Sequence, residues 1–251
     1  LPIAADEKVT SMIRVPEFDE EKYLVMVTKQ GIIKRISLNA YNTARKGGLI
    51  ALELNEGDEL AWVRLTDGNQ QVVVATKNGL AIRFEETDVR PMGRQARGVK
   101  AISLREGDCV VGMCVVANDD LILTASETGF GRISNVSDYR LQSRGGKGIT
   151  NYHTEKYGNV AAVSAVKLDE DIIIISQEGV IIRIAADTVR ICNRPSKGVT
   201  LMRIGENDKV VTVARAPHED SESEKTDETA EEETSEENTA PETNAEENTE
   251  E

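Results

Sequence analysis

Basic side chains recur at a fixed spacing along this 251-residue chain, and their chemistry suits the binding of a polyanion. Three sets of three residues are each spaced fifty positions apart: Arg90, Arg140 and Arg190; Arg94, Arg144 and Arg194; Arg97, Lys147 and Lys197. Arginine and lysine neutralise phosphate groups, and nearby glycines let backbone N–H groups approach them. The three sets therefore predict a phosphate-binding surface.

Further basic residues surround these sets. Three of them lie near the positions that recur every fifty residues: Arg45, Lys46 and Lys100. A second group follows the recurring glycines Gly31, Gly79, Gly129 and Gly179, and consists of Lys34, Arg35, Arg83, Arg132 and Arg183. If the repeats are arranged symmetrically, all of these residues are expected to lie on one curved basic rim. No recognition helix and few aromatic residues accompany them, which favours contact with the backbone of bent duplex DNA over the reading of bases.

An internal repeat of about fifty residues must position these side chains. Gly48, Gly98, Gly148 and Gly198 mark one point of the repeat. Acidic turns mark another, as in Glu56-Gly57-Asp58. The predicted repeats span about 22–69, 70–120, 121–170 and 171–217, after a partial repeat at 1–21.

Each repeat reads as four short strands. The β-branched run Gln71–Ala75 is followed by a glycine-centred turn and a second strand, as in a hairpin. Two more strands are expected, one after the Gly98-type glycine and one after the acidic turn. No segment shows a helical period over ten residues. The pattern predicts an all-β, propeller-like array of blades over 1–217.

The two ends of the chain differ from this body. Residues 6–15 match 207–215, which predicts that the chain begins inside a repeat of a longer polypeptide. At the other end, 219–251 carries sixteen acids and one lysine, whereas the formal net charge of the whole chain is −14. We expect 218–251 to be a disordered acidic tail, because it has too few apolar residues for a core. Such a tail could compete with DNA for the basic rim.

Several other functions find little support in the composition. Two histidines disfavour a histidine-ligated metal site or a His-based triad, and three cysteines form no disulfide framework. No apolar run reaches the length of a membrane span, and no signal peptide is evident. The acidic groups Asp119-Asp120 and Asp169-Glu170-Asp171 occupy equivalent positions between repeats, where turns are the simpler interpretation. We therefore expect neither a catalytic centre nor a metal site.

Several motifs resemble one known family. Gln142-Ser143-Arg144-Gly145-Gly146-Lys147-Gly148 is similar to the Q-R-R-G-G-K-G box in the C-terminal domain of DNA gyrase A, with Ser143 in place of the first arginine. Val89-Arg90-Pro91-Met92-Gly93 and Leu54–Leu60 also look like that domain. In the family the box lies in the first blade, whereas here it lies in the third complete repeat.

The resemblance implies a β-pinwheel, in which neighbouring blades exchange a strand and duplex DNA wraps around the basic perimeter. It implies a non-catalytic part of an ATP-dependent type IIA topoisomerase, an isomerase that introduces negative supercoils. ATP and magnesium would be used by other parts of the holoenzyme. Its partners would be DNA, gyrase B and the breakage–reunion domain of gyrase A, in an A2B2 assembly on the bacterial nucleoid in the cytoplasm.

Two alternatives remain at this point. One is the corresponding C-terminal domain of topoisomerase IV, whose boxes are also degenerate and whose enzyme decatenates DNA. The other is a peptide-binding propeller of the kelch kind, which has a similar repeat length and glycine doublets. The single tryptophan, Trp62, argues against a tryptophan signature in every blade.

Overall fold

The computed structural model of the protein describes residues 9–15, 17–43 and 48–218. These residues form four antiparallel sheets in a propeller-like arrangement, which confirms the predicted fold class. The predicted tail beyond His218 lies outside the described residues, and so do Arg45 and Lys46.

The strands follow one another in the order that the repeat predicts. In chain order they are β1 (Tyr23–Thr28), β2 (Ile32–Ser37), β3 (Leu60–Thr66), β4 (Gln71–Thr76), β5 (Leu80–Glu85), β6 (Val99–Lys100), β7 (Val110–Val116), β8 (Leu121–Ser126), β9 (Phe130–Asn135), β10 (Ile149–Thr150), β11 (Val160–Val166), β12 (Glu170–Ser176), β13 (Ile181–Ala185), β14 (Val199–Thr200) and β15 (Val210–Pro217). Short 3-10 turns occupy Leu38–Tyr41, Glu86–Asp88, Val136–Asp138 and Ala186–Thr188, and a single-turn helix, α1, spans Thr154–Tyr157.

Neighbouring sheets exchange a strand. The strand orders are β3-β1-β2-β6, β7-β4-β5-β10, β11-β8-β9-β14 and β15-β12-β13. Strand β6 follows β5 in the chain but pairs with β2 of the preceding sheet, and β10 and β14 repeat this connection. The exchange that the family resemblance implies is thus present in the first three sheets. The fourth sheet has only three strands among the described residues.

A hydroxyl shapes the hairpin that opens each repeat, and a carboxylate braces this hairpin in three of the four repeats. Thr28 Oγ1 accepts the backbone N–H of Ile32 at 3.1 Å, across a turn in which Gly31 has a φ of +78°. Asp58 Oδ1, from the acidic turn of the same repeat, accepts the N–H of Gln30 at 2.9 Å. Thr76, Ser126 and Ser176 repeat the first contact, and Asp108 and Asp208 repeat the second. The acidic landmarks of the sequence therefore serve as turns that brace the hairpins.

The apolar core lies between neighbouring sheets. Val72 and Val74 of β4 pack in a cluster with the first sheet, whereas Val73 and Ala75 of the same strand pack in a cluster with the third. A further cluster joins the third and fourth sheets. Because both faces of a central strand are buried, its sequence is an uninterrupted apolar run with no polar alternation.

Residues 9–15 depart from the expectation based on their match to 207–215. They lie outside the four sheets, although Ile13 packs against the cluster that contains Met26 and Ile36. The matching strand β15 pairs with β12, but both edges of β1 are already occupied by β2 and β3. Residues 9–15 therefore find no free strand edge beside β1.

Of the three cysteines, Cys114 is buried, whereas Cys109 and Cys192 are only partly buried. Burial raises the pKa of the Cys114 thiol from its ordinary value of 9.0 to about 11. Since the folded-state pKa is the higher one, the stability associated with the neutral thiol is present below pH 9 and is lost as the pH rises toward 11. Burial also raises the pKa of the Tyr139 hydroxyl, so the stability associated with its neutral form is likewise lost at high pH.

We expect the free energy of unfolding to fall between pH 9 and about pH 11, with Cys114 contributing about 2 to 3 kcal/mol of the decrease. Urea unfolding of the parent and of Cys114→Ala across this pH range measures the contribution. The variant should show a shallower decline. Cys192→Ala controls for the loss of a thiol, and equal slopes for the parent and Cys114→Ala would contradict the assignment.

Candidate nucleic-acid interface

The loops that carry the recurrent basic residues lie along the outer edges of the sheets. Pro91, Leu141 and Ile191 form parallel bridges with Arg35, Arg83 and Ile133 of the preceding sheet, respectively. Each loop then turns at a glycine and continues as β6, β10 or β14. The strand exchange thus brings the fifty-residue sets onto equivalent outer edges, because each loop follows the strand edge it covers.

Seven of the predicted residues have exposed side chains on or beside these loops: Arg90, Arg97, Lys100, Arg140, Lys147, Arg190 and Lys197. Arg97 donates a hydrogen bond to Glu53 at 2.6 Å, and both side chains remain more than half exposed. A surface pair of this kind is weak and screened by water, so a phosphate can compete for the guanidinium. The seven residues are accessible to a polyanion.

One groove gathers several of these cations. A cavity of about 870 Å³ is lined by Arg190, Arg194 and Lys197, and also by Lys156 and Tyr157 of α1. Its described lining contains no carboxylate. The Lys197 ammonium also lies 3.5 Å from the centroid of the Phe130 ring, which holds the charge at the mouth of the groove. The groove is therefore electropositive and open to an anion.

The repeat analysis missed Lys156. The three equivalent positions in the other repeats hold glutamate: Glu56, Glu106 and Glu206. The signal available in the sequence was the loss of the acidic turn in this repeat, which reads Tyr157-Gly158-Asn159. This change of sign in one repeat places a lysine, rather than a glutamate, in the lining of the groove.

Arg144 and Arg194 have a different role from the one predicted. Arg144 donates to the carbonyl oxygens of Asp88, at 2.9 Å, and Lys100, at 3.2 Å. Arg194 repeats this pattern with the carbonyls of Asp138 and Thr150, and its guanidinium lies 5.0 Å from the Tyr139 ring centroid. Each arginine therefore fastens its loop to the preceding repeat. Only the remaining exposed part of its guanidinium can meet a phosphate.

The structure buries four of the residues predicted on the second hairpin strand. Lys34 is fully buried, and its Nζ donates to the carbonyls of Ala51 at 2.8 Å and Arg94 at 2.5 Å. Arg132 is also fully buried, donates to Asn151 and lies over the Tyr152 ring. Burial lowers the pKa of both Lys34 and Arg132. Neither side chain can reach DNA in this fold.

Arg35 and Arg83 are the other two buried members of this group. Arg35 lies 4.0 Å from Glu86 and stacks 4.5 Å from the Tyr23 ring centroid. Arg83 binds the carbonyl oxygens of Val136 and Tyr139 in the next repeat. The prediction that these four residues contact DNA is therefore incompatible with their burial, because the exchanged segment of the next repeat covers them.

Four predicted residues remain, of which the structure describes two. Arg183 is partly exposed, pairs with Asp171 at 2.6 Å and donates to the Pro217 carbonyl. Arg94 is partly buried, and its backbone carbonyl accepts a hydrogen bond from Lys34 Nζ. Arg45 and Lys46 lie outside the described residues, so their assignment stays a prediction.

Comparison with known proteins places this architecture in one family. Four segments, 22–67, 70–116, 120–167 and 170–217, match the DNA gyrase C-terminal domain, beta-propeller. The chain belongs to this family. The DNA gyrase A of Clostridium acetobutylicum is 52% identical over 100 residues, and that of Halalkalibacterium halodurans is 53% identical over 100 residues. Each alignment covers 40% of this chain and 12% of the relative, so the match spans a small part of the relatives' length.

Two solved structures are similar over most of the chain. The C-terminal domain of DNA topoisomerase IV superposes with a TM-score of 0.80 at 26% identity, covering 86% of this chain and 68% of that one. A DNA gyrase A C-terminal domain superposes with a TM-score of 0.76 at 27% identity, covering 86% of this chain and 73% of that one. The fold is thus shared with the C-terminal domains of both DNA topoisomerase IV and DNA gyrase A.

The box-like motif of this gyrase-family domain is held between repeats through its backbone. Gly145 N–H donates to the Ala101 carbonyl at 2.6 Å, and Ser103 donates its N–H to the Gly146 carbonyl at 2.8 Å. Gln142 N–H donates to the Arg83 carbonyl at 2.9 Å. The Gly145 N–H is therefore engaged within the protein and does not serve a phosphate, contrary to the expectation for the glycines. Lys147 remains the exposed cation of the motif.

Two further observations concern the part of the chain that the structure describes. No helix there is long and apolar enough to cross a membrane. Within the same residues, no group of three or more His, Cys, Asp or Glu side chains is arranged to hold a metal ion.

Proposed function

We propose that this domain binds duplex DNA without sequence preference along the outer edges of its sheets and bends it around them. The observation that carries the proposal is the recurrence of exposed cations on the three edge loops, with Arg90, Arg140 and Arg190 at equivalent points. Backbone contacts that repeat at equivalent intervals suit a curved duplex, because every phosphate offers the same charge whatever the base.

In the proposed holoenzyme, wrapping of DNA with positive handedness supports negative supercoiling by a gyrase-type topoisomerase. The ATP-dependent strand passage and its magnesium belong to other parts of that enzyme, including gyrase B and the breakage–reunion domain of gyrase A. Curated relatives with about half of the aligned residues identical are gyrase A proteins, which favours this assignment. The same proposal places the protein on DNA in the bacterial cytoplasm.

A second candidate is the corresponding domain of topoisomerase IV, which the TM-score of 0.80 to that domain supports. A linking-number assay separates the two. A relaxed circular plasmid is incubated with the domain and treated with a nicking-closing enzyme. A retained positive writhe would support wrapping of the gyrase kind, and an unchanged linking number would favour the topoisomerase IV alternative.

Removing three exposed edge cations should flatten the salt dependence of DNA binding. For Arg140→Gln, Lys147→Gln and Arg190→Gln combined, the slope of log K against log salt should fall in magnitude by about 2 to 3, since each phosphate contact contributes about 0.9. Titration of linear duplexes of two unrelated sequences at several salt concentrations measures the slope.

A matched triple variant controls for net charge. Lys29→Gln, Lys77→Gln and Lys209→Gln remove three charges from the hairpins and acidic turns, where Lys29 pairs with Glu59 and Lys77 with Glu127. This variant should keep a slope close to that of the parent. Equal flattening in both triples would show that overall charge, rather than the edge loops, governs binding, and would overturn the proposal.

A further inference from the structure

An exposed apolar residue directly follows an exposed arginine in each of the three edge loops. Successive pairs lie fifty positions apart: Arg90-Pro91, Arg140-Leu141 and Arg190-Ile191. All six residues are exposed, and Leu141 and Ile191 are 48% and 43% exposed, respectively. The edge loops therefore present a cation and an apolar group next to each other at equivalent points of the repeat.

Backbone contacts hold these apolar residues at the surface. Each of the three forms a parallel bridge with a strand of the preceding sheet. The residue that follows then donates its N–H to the same strand, as Gln142 does to the Arg83 carbonyl at 2.9 Å and Cys192 does to the Ile133 carbonyl at 2.8 Å. The residue before each arginine is buried: Val89, Tyr139 and Val189. Because the backbone is anchored on both sides, the fold itself keeps these apolar groups in solvent.

Recurrence distinguishes this set from isolated apolar residues on the surface. Single exposed apolar side chains are common in proteins and need no explanation. Leu168, for example, is 44% exposed, but the equivalent position of the preceding repeat holds Asn118. The edge-loop position instead stays apolar and exposed in three repeats, although proline, leucine and isoleucine differ in shape. Such a position suits contact with an apolar surface that requires no particular side-chain shape.

The surroundings of Ile191 show what its binding partner must offer. Ile191 lines the groove of about 870 Å³ that also contains Arg190 and Lys197. Val199 adds a second aliphatic group to the same lining, whose described residues include no carboxylate. A ligand that fits this groove combines negative charge with apolar surface.

Duplex DNA offers this combination at every nucleotide. Its phosphates carry the charge, and the deoxyribose rings along the minor groove expose C–H groups between them. Proteins that bend DNA often place leucine, isoleucine or proline against the minor groove. Because the sugar is the same for every base, a contact of this kind adds affinity without adding sequence preference.

We propose that Pro91, Leu141 and Ile191 contact the deoxyribose faces of the minor groove, while the arginine that precedes each of them binds a flanking phosphate. This rests on the DNA binding proposed above and adds to it a contribution to affinity that salt does not screen. Loss of a phosphate contact changes the dependence of affinity on salt, whereas loss of an apolar contact lowers the affinity by the same factor at every salt concentration. The two contributions can therefore be measured separately.

Leu141→Ser combined with Ile191→Ser tests the proposal, because it removes two of the three apolar groups without changing the net charge. The full chain is titrated at several salt concentrations with linear duplex and with inorganic polyphosphate, which carries charge but no sugar. We expect the affinity for duplex to fall about tenfold at every salt concentration, since each aliphatic side chain would bury its exposed half against DNA. The salt slope and the affinity for polyphosphate should match those of the parent.

Two double variants serve as controls. Leu168→Ser combined with Val211→Ser removes aliphatic side chains that are 44% and 42% exposed but lie outside the edge loops, and it should bind duplex as the parent does. Leu141→Met combined with Ile191→Met keeps apolar groups on the loops and should retain an affinity close to that of the parent. Thermal unfolding of every variant ensures that the titrations compare folded proteins.

Three results would overturn the proposal. These are an unchanged affinity for duplex after the two serine substitutions in the edge loops, an equal loss of affinity for polyphosphate, and an equal loss in the control that alters Leu168 and Val211. An unchanged affinity beside a steep salt slope in the parent would leave the proposed DNA binding intact. A parent that fails to bind duplex at low salt would overturn both proposals.

Discussion

Replacement of Gly198 by alanine should lower the free energy of unfolding by about 3 kcal/mol or more, one of the largest effects expected for a single methyl group in this chain. Gly198 has a φ of +81°, where an L-residue costs about 1 to 2 kcal/mol. The added Cβ would also lie 1.9 Å from the carbonyl oxygen of Gly131, so the exchanged strand β14 must shift away from β9. Both effects act on the contact that joins the last two repeats.

The same substitution at Gly48 is the matched control. Gly48 is not among the glycines with positive φ, and no described atom lies within 4 Å of a Cβ added there. Gly48→Ala should therefore leave the stability unchanged or raise it by about 0.5 kcal/mol, because alanine restricts the unfolded chain. Urea unfolding of the two variants at a protein concentration where both are monomeric compares them directly. Similar stabilities for Gly198→Ala and Gly48→Ala would contradict the role given to strand exchange.

Replacement of Arg83 by methionine should destabilise the protein by about 3 to 5 kcal/mol, because it removes a buried network of hydrogen bonds that joins two repeats. Arg83 donates to Gln71 and Asn118 of its own repeat and to the carbonyls of Val136 and Tyr139 in the next repeat. Methionine fills a similar volume but leaves the carbonyls of Val136 and Tyr139 without these donors, and unsatisfied buried acceptors are costly.

Arg140→Met separates this structural role from DNA binding. Arg140 is exposed on the edge loop, so its replacement should leave the unfolding transition unchanged and weaken DNA binding. Arg83→Met should do the reverse, with lower stability and unchanged affinity of the folded protein for duplex. Chemical denaturation and DNA titration of both variants measure the two effects. If the Arg83→Met protein is fully stable and loses DNA affinity, Arg83 belongs to the DNA interface and its structural role is contradicted.

The fold followed closely from the sequence because its signals are local and repeated. The strand predicted at Gln71–Ala75 is observed at Gln71–Thr76. Turn glycines, hydroxyls and acidic landmarks act within one repeat, so a fifty-residue window contains the information. A pattern that recurs in register four times is also much harder to produce by chance than a single short match to a strand.

The sequence predicted the candidate site only in part. Loop cations such as Arg90 and Lys147 are exposed as expected, since their loops cover the outside of a sheet. Strand cations such as Lys34 and Arg83 are buried, although they too recur with the repeat. Periodicity places equivalent residues in equivalent surroundings, but it does not distinguish a solvent-exposed position from a buried one that binds backbone carbonyls.

The sequence by itself determined the repeat, the all-β class, the hairpin turns and the family, because each depends on residue types at short, recurring distances. The tertiary structure decided which cations face solvent, and that Lys156 joins Arg190 and Lys197 around one groove. These outcomes depend on which segment of the next repeat lies against a given strand edge. That pairing joins residues about seventy positions apart, as in Ala101 and Gly31, and it arises only when neighbouring sheets pack and exchange strands.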